Sequence, residues 1–189
     1  MGVFLTKLSG LPHAGQINVI ITSDHGMGST TDEKMVVMET HLKTTWIDKI
    51  KGYNPNFVIK ANSGCVDSIY SALSDIQGIS VWRSENVPDQ LHYGKHPRTL
   101  DLVVVADSSW SVVRTAGETV GKGAHGYLNS NTDMHAIFYA AGPAFRKNFA
   151  MKTFDNIDIY PLICEILNLY PAPTDGSLND VRKMLKNTE

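Results

Sequence analysis

Leu102-Val103-Val104-Val105-Ala106 is an apolar run of strand length with no polar alternation. With Leu100 and Asp101 before it, the segment Leu100 to Ala106 reads as the strongest strand in the chain. Ile17-Asn18-Val19-Ile20-Ile21-Thr22 is a second β-branched run, read as a buried strand feeding the loop Ser23-Asp24-His25-Gly26. Phe57-Val58-Ile59, Ile79 to Trp82, Trp110 to Val113 and Ala136 to Ala140 add shorter strands, and Met35 to Met38 is an ambiguous apolar run. Val66, Ile69, Tyr70, Leu73 and Ile76 recur at helical spacing, as do Val3, Leu5, Leu8 and Leu11 at the start. Ile157 to Leu167 gives a core-facing helix, with Asp155 as its expected cap. Strands alternating with helices predict an α/β layered fold with a partly parallel sheet.

Composition narrows the function classes. The 189 residues can bury roughly 70% of their unfolded surface, so no disulfide or metal staple is needed on size grounds. Seventeen basic and nineteen acidic residues give a net charge of −2, which argues against a polybasic nucleic-acid or membrane footprint. Such a balance leaves phosphorylated substrates open, because bound metal ions supply positive charge that residue counting misses. Cys65 and Cys164 are too few and too far apart for a disulfide framework or a zinc knuckle, and two buried thiols are expected, with one long-range disulfide between them as the alternative. No apolar run has the length of a membrane span, and the start lacks the pattern of a signal peptide. Residues 115 to 133, rich in glycine and small polar groups, form a long loop of the kind that tends to carry function.

Two of the seven histidines stand apart. Asp24 and His25 place an oxygen and a nitrogen donor side by side where a buried strand becomes a loop, the end at which open α/β sheets bind ligands. Mixed Asp and His donors suit zinc or a similar divalent ion. Taken alone, the pair also reads as an Asp cap beside an exposed His. His125, in Gly121-Lys122-Gly123-Ala124-His125-Gly126-Tyr127, is a lone imidazole among small residues, and alone it reads as a surface His. Only a fold that joins two distant loops can unite it with His25. His13, His41, His92 and His96 are expected on the surface, and His135 is expected in a structural role.

Four blocks in order carry a resemblance: Ile20-Ile21-Thr22-Ser23-Asp24-His25-Gly26-Met27, Gly123-Ala124-His125-Gly126-Tyr127, Asp133-Met134-His135-Ala136-Ile137-Phe138 and Gly142-Pro143-Ala144-Phe145. Together they resemble the C-terminal half of the nucleotide pyrophosphatase/phosphodiesterases, hydrolases of the alkaline phosphatase superfamily. Asp158-Ile159-Tyr160-Pro161-Leu162 fits the helix that follows. The resemblance spans Val3 to Pro173 and implies a three-layer α/β/α alkaline-phosphatase-like fold. Residues 1–175 would then be the C-terminal part of a catalytic domain, and 176–189 a tail.

The resemblance also implies a site with two zinc ions. Asp24 and His25 match ligands of the zinc that holds the nucleophile, and His125 matches a ligand of the second. A threonine would attack phosphorus to give a phospho-threonine, in substrates that are nucleotide or related phosphodiesters and pyrophosphates. That threonine and the remaining ligands belong to the half that precedes these motifs, and neither Asp32 with His41 nor Asp101 with Asp107 sits in a matching context. Leu128 stands where many relatives have an acid after His-Gly-Tyr. The expectation is a half enzyme, inactive alone, whose partner is the missing N-terminal half and whose location is outside the cytoplasm. Another hydrolase of the superfamily, or a non-catalytic half-fold, are the alternatives.

Overall fold

A computed structural model describes residues 1–186 and divides the chain into two compact units. The larger runs from His25 to His135; the smaller joins Met1–Asp24 to Ala136–Glu189. In chain order the elements are helix α1 (Gly2–Ser9), strands β1 (Val19–Thr22), β2 (Gly28–Ser29), β3 (Met35–Val37), β4 (Ile47–Tyr53) and β5 (Asn56–Ala61), and helix α2 (Val66–Leu73). They continue with β6 (Ile79–Arg83), β7 (Leu102–Ala106), β8 (Ser111–Val113), β9 (Gly123–Ala124), β10 (Phe138–Ala141) and helix α3 (Ile159–Ile166). Short 3₁₀ turns fill many of the connections. None of the described helices is long and apolar enough to cross a membrane.

The larger unit is built on a four-stranded sheet in the order β4-β5-β7-β6. Every residue of β7 is buried, and its side chains divide between two faces. Leu102, Val104 and Ala106 join Phe57, Ile59, Ile79 and Val81 in a core closed by Ile69 and Leu73 of α2. Val36, Met38 and Val112 complete that core, brought in by the pairing of β3 with β8. Val103 and Val105 point the other way, toward Val87 and Leu91 of the loop that precedes β7. Cover on both faces is the physical reason for the unbroken apolar run.

The strand directions refine the expectation. All pairings within the four-stranded sheet are antiparallel, and the parallel component is the β3–β8 pair, Met35↔Ser111 to Val37↔Val113. An antiparallel strand covered twice leaves the same sequence trace as a parallel one, so the run could not tell them apart. Strand β4 was not foreseen at all. It lies at the sheet edge, carries Asp48, Lys49 and Lys51, and its register shifts between Ile47 and Lys49. That irregularity breaks the period of two, and edge lysines are the usual guard against unwanted pairing.

The smaller unit pairs β1 with β10 in antiparallel register, Val19↔Ala141 to Thr22↔Phe138. Among the described residues β1 has no second strand neighbour, and Val19, Ile20 and Ile21 are half-buried rather than buried as expected. Its core gathers Phe145, Leu162, Val181 and Met184 around Ile20, Phe138 and Ala140. Val181 and Met184 lie in the stretch expected as a tail, whose residues 187–189 fall outside the described residues. Asp155 makes no side-chain cap; instead the Asp158 carboxylate accepts from the backbone N–H of Ser177 at 2.7 Å. No residue of α1 is buried, and Val3 and Phe4 are 74% and 54% exposed. Cys164 is buried, Cys65 is half-buried, and both are free thiols.

This contrast predicts two stability outcomes. Leu73→Ala empties a fully buried position of the larger unit and should cost about 2–5 kcal/mol. Phe4→Ala should cost no more than about 0.5 kcal/mol, as surface changes do. Urea unfolding followed by the fluorescence of Trp46, Trp82 and Trp110, all within the larger unit, reads the first, and far-ultraviolet circular dichroism of the whole chain reads the second.

Candidate functional site

The two loops singled out in the sequence are joined by a two-residue ladder. Strand β2 pairs antiparallel with β9, Gly28 opposite Ala124 and Ser29 opposite Gly123. Thr30 continues the seam: its backbone N–H donates to the Lys122 carbonyl at 3.1 Å, and its hydroxyl donates to the Gly121 carbonyl. This seam brings His25 and His125, 100 residues apart in sequence, into face-to-face contact. Their ring centroids are 3.8 Å apart with the planes tilted by 11°.

Each ring is positioned by its backbone. Gly26 N–H donates to the Met134 carbonyl at 3.0 Å, and a side chain at Gly26 would collide with the Asp133 carbonyl. Only glycine lets residues 133–135 pass this close. The His25 Nδ1 lies 2.7 Å from the Gly26 carbonyl, which can only accept. Nδ1 therefore carries the proton, and Nε2 carries the lone pair that a metal would use.

The His125 loop is held by anchors on either side of the ring. Gly126 has φ +102°, a left-handed conformation that favours glycine, and its carbonyl accepts from Asn56 Nδ2 at 2.7 Å. Tyr127 is buried in the main core, and its hydroxyl donates to the Trp110 carbonyl at 2.8 Å. Burial pushes the Tyr127 phenol above its ordinary range, so it stays a donor through neutral pH. His125 itself is exposed, an accessible imidazole on a firmly fixed backbone.

Asp24 is exposed and ends the first segment of the smaller unit. The strand end that carries it is lashed to β10: Thr22 Oγ1 donates to the Ile137 carbonyl at 2.9 Å, and Ile137 N–H donates to Ser23 Oγ at 3.1 Å. His13, His41, His92, His96 and His135 do not join the two stacked rings. Sequence reasoning missed Asn56 and Trp110, since a strand-end amide and a backbone carbonyl leave no pattern to read. Tyr127 left a trace, as the aromatic directly after His-Gly.

In donor type these residues suit zinc. Two imidazoles, one with its tautomer set by a carbonyl, and a neighbouring carboxylate are the donor types zinc prefers. Among the described residues no group of three or more His, Cys, Asp or Glu side chains is arranged to hold a metal ion. The residues fit as part of a ligand set.

Known proteins resemble this chain over nearly its whole length. The human ectonucleotide pyrophosphatase/phosphodiesterase family member 5 is 36% identical over 191 residues, covering 99% of this chain and 39% of that protein. The structure of the murine ectonucleotide pyrophosphatase/phosphodiesterase 5 superposes with a TM-score of 0.91 at 32% identity, over 98% of this chain and 50% of that one. The same figures hold for an inactive threonine-to-alanine variant of the murine protein in complex with AMP. The fold is thus the alkaline-phosphatase-like α/β fold of those enzymes, and the chain spans about half the length of the relatives it matches. The family model for type I phosphodiesterase/nucleotide pyrophosphatase matches residues 6–128, and with these motifs and this fold the chain belongs to that family.

Proposed function

We propose that this chain supplies the C-terminal part of a zinc-dependent hydrolase that cleaves phosphodiester or pyrophosphate bonds in nucleotides or related molecules. The observation that carries it is the stack of His25 on His125, built by the ladder that joins their two loops. Asp24 and His25 would hold one ion and His125 the other. Bound zinc would polarise the phosphoryl oxygens and lower the pKa of a nucleophile. This chain's own residues orient that chemistry: the Gly26 carbonyl fixes the His25 tautomer, and Tyr127 and Asn56 fix the His125 loop.

The attacking group is a threonine from the preceding half of the longer protein, forming a phospho-threonine that water then cleaves. The inactive threonine-to-alanine relative bound to AMP supports both the nucleophile and the nucleotide substrate. The same half completes the zinc shells and covers the apolar surface of the smaller unit. That surface includes Tyr160 and Ile163 on α3 and Leu167 just past its end, which are 43%, 39% and 59% exposed, although the helix is apolar almost all round. Such helices are normally covered on every side. The relatives' names place them outside the cell, and this protein is assigned there with them.

Three outcomes test the reading. The isolated chain should show negligible hydrolysis of a nitrophenyl nucleotide ester with or without added zinc, and a poorly cooperative melt. Turnover by the isolated chain that His125→Ala abolished would overturn the proposal, and a sharp, reversible melt would count against the missing cover. With the preceding half supplied, activity should appear, and Asp24→Ala or His125→Ala should lower kcat/KM by at least about a hundredfold, as loss of metal-site groups does. In that same assembled enzyme, Tyr127→Phe leaves the Trp110 carbonyl without its donor. It should cost about 1–3 kcal/mol of stability, with a smaller activity loss than His125→Ala, as read by denaturation and steady-state kinetics.

A further inference from the structure

The loop between β6 and β7 is the largest connection in the larger unit that the histidine site leaves unused. Both of its ends are tied together: Ser84 N–H donates to the Asp101 carbonyl at 2.9 Å, and the Ser84 hydroxyl donates to the Leu100 carbonyl at 2.8 Å. Val87 and Leu91 pack its underside against Val103 and Val105. Above this floor lies an open cleft of about 780 Å³ whose lining includes Asp89, His92, Tyr93, Lys95, His96 and Arg98.

The charges there do not balance. Lys95 Nζ sits 2.5 Å from Asp89 Oδ1, a pair that holds the Asp89 carboxyl below its usual range and cancels both charges. Arg98 has no carboxylate partner among the described residues, so one guanidinium is left over. The Arg98 backbone N–H donates to His96 Nδ1 at 3.2 Å. That bond makes Nδ1 the acceptor and leaves Nε2 as the protonated donor of the neutral ring. A planar fork, an imidazole donor and the half-exposed Tyr93 phenol therefore share one cleft.

The backbone is also held away from its preferred conformations. His92 has φ +47°, and Leu100 has φ +66° with ψ −152°, a region that is essentially glycine's. Strain of this kind gathers at ligand clamps. A fork with further donors around it suits an anion with three or more acceptor oxygens better than a carboxylate with two.

We infer that this cleft is a second, metal-independent binding site for a phosphate-bearing anion, with Arg98 as its principal partner. It does not rest on the reading of His25 and His125. The test is calorimetric titration of the full chain with sodium pyrophosphate, in EDTA and low salt, alongside hydrogen exchange. Saturable binding is expected, weakened about tenfold by Arg98→Ala, as the loss of one charge-assisted contact predicts, and unchanged by His125→Ala. Residues 89–99 should gain exchange protection in the unaltered protein, a readout that needs no variant to fold. Absence of saturable binding, equal affinity for acetate, loss on His125→Ala instead, or no protection of 89–99 would each overturn the site. Vesicles of phosphatidylcholine with phosphatidic acid separate the sources. Sedimentation with vesicles that pyrophosphate competes away assigns a lipid headgroup, and pyrophosphate binding without vesicle binding assigns a soluble phosphate. Vesicle binding that pyrophosphate leaves untouched contradicts the inference.

Discussion

Burial of β7 on both faces organises the larger unit. Five successive residues leave water together, each Val or Leu side chain contributing about 1.5–3 kcal/mol. One set of side chains demands a helix, and α2 answers with Ile69 and Leu73. The other set demands a covering loop, and residues 84–101 answer with Val87 and Leu91. Tyr127 reaches into the first of these cores, so the loop that presents His125 hangs from the same packing that orders the sheet.

The histidine pair depends on that packing at one remove. A two-residue ladder is a weak structure by itself, and Gly28 opposite Ala124 would not hold two loops in register unaided. Thr30 extends the seam on one side, and Gly26 with the backbone of 133–135 closes it on the other. The two rings stack on the backbone so held.

The smaller unit follows a different economy. Its interior is real, with Leu162 and Val181 fully buried, but β1 has one strand partner among the described residues and α1 buries nothing. Large apolar side chains such as Phe4, Ile163 and Tyr170 face outward. The apolar periodicity that made these segments legible as helix and strand is the periodicity of contact surfaces, and much of that surface is unfilled by this chain.

By itself the sequence determined most of the helices and longer strands, the strand at Leu102–Ala106 among them, and the candidate donors Asp24, His25 and His125. These follow from local pattern: apolar run, helical period, donor types beside a strand end. It could not determine strand direction, because a doubly covered antiparallel strand and a parallel one look alike. It also hid β4, whose charged edge and shifted register erase the alternation. Tertiary structure alone decided that His25 meets His125, that Asn56 and Trp110 hold the second loop, and that Gly26 must lack a side chain. Each of these is a contact between segments tens of residues apart, set by how layers close over a sheet. A linear pattern records what each segment needs to bury, and only the closed fold records which segment meets that need.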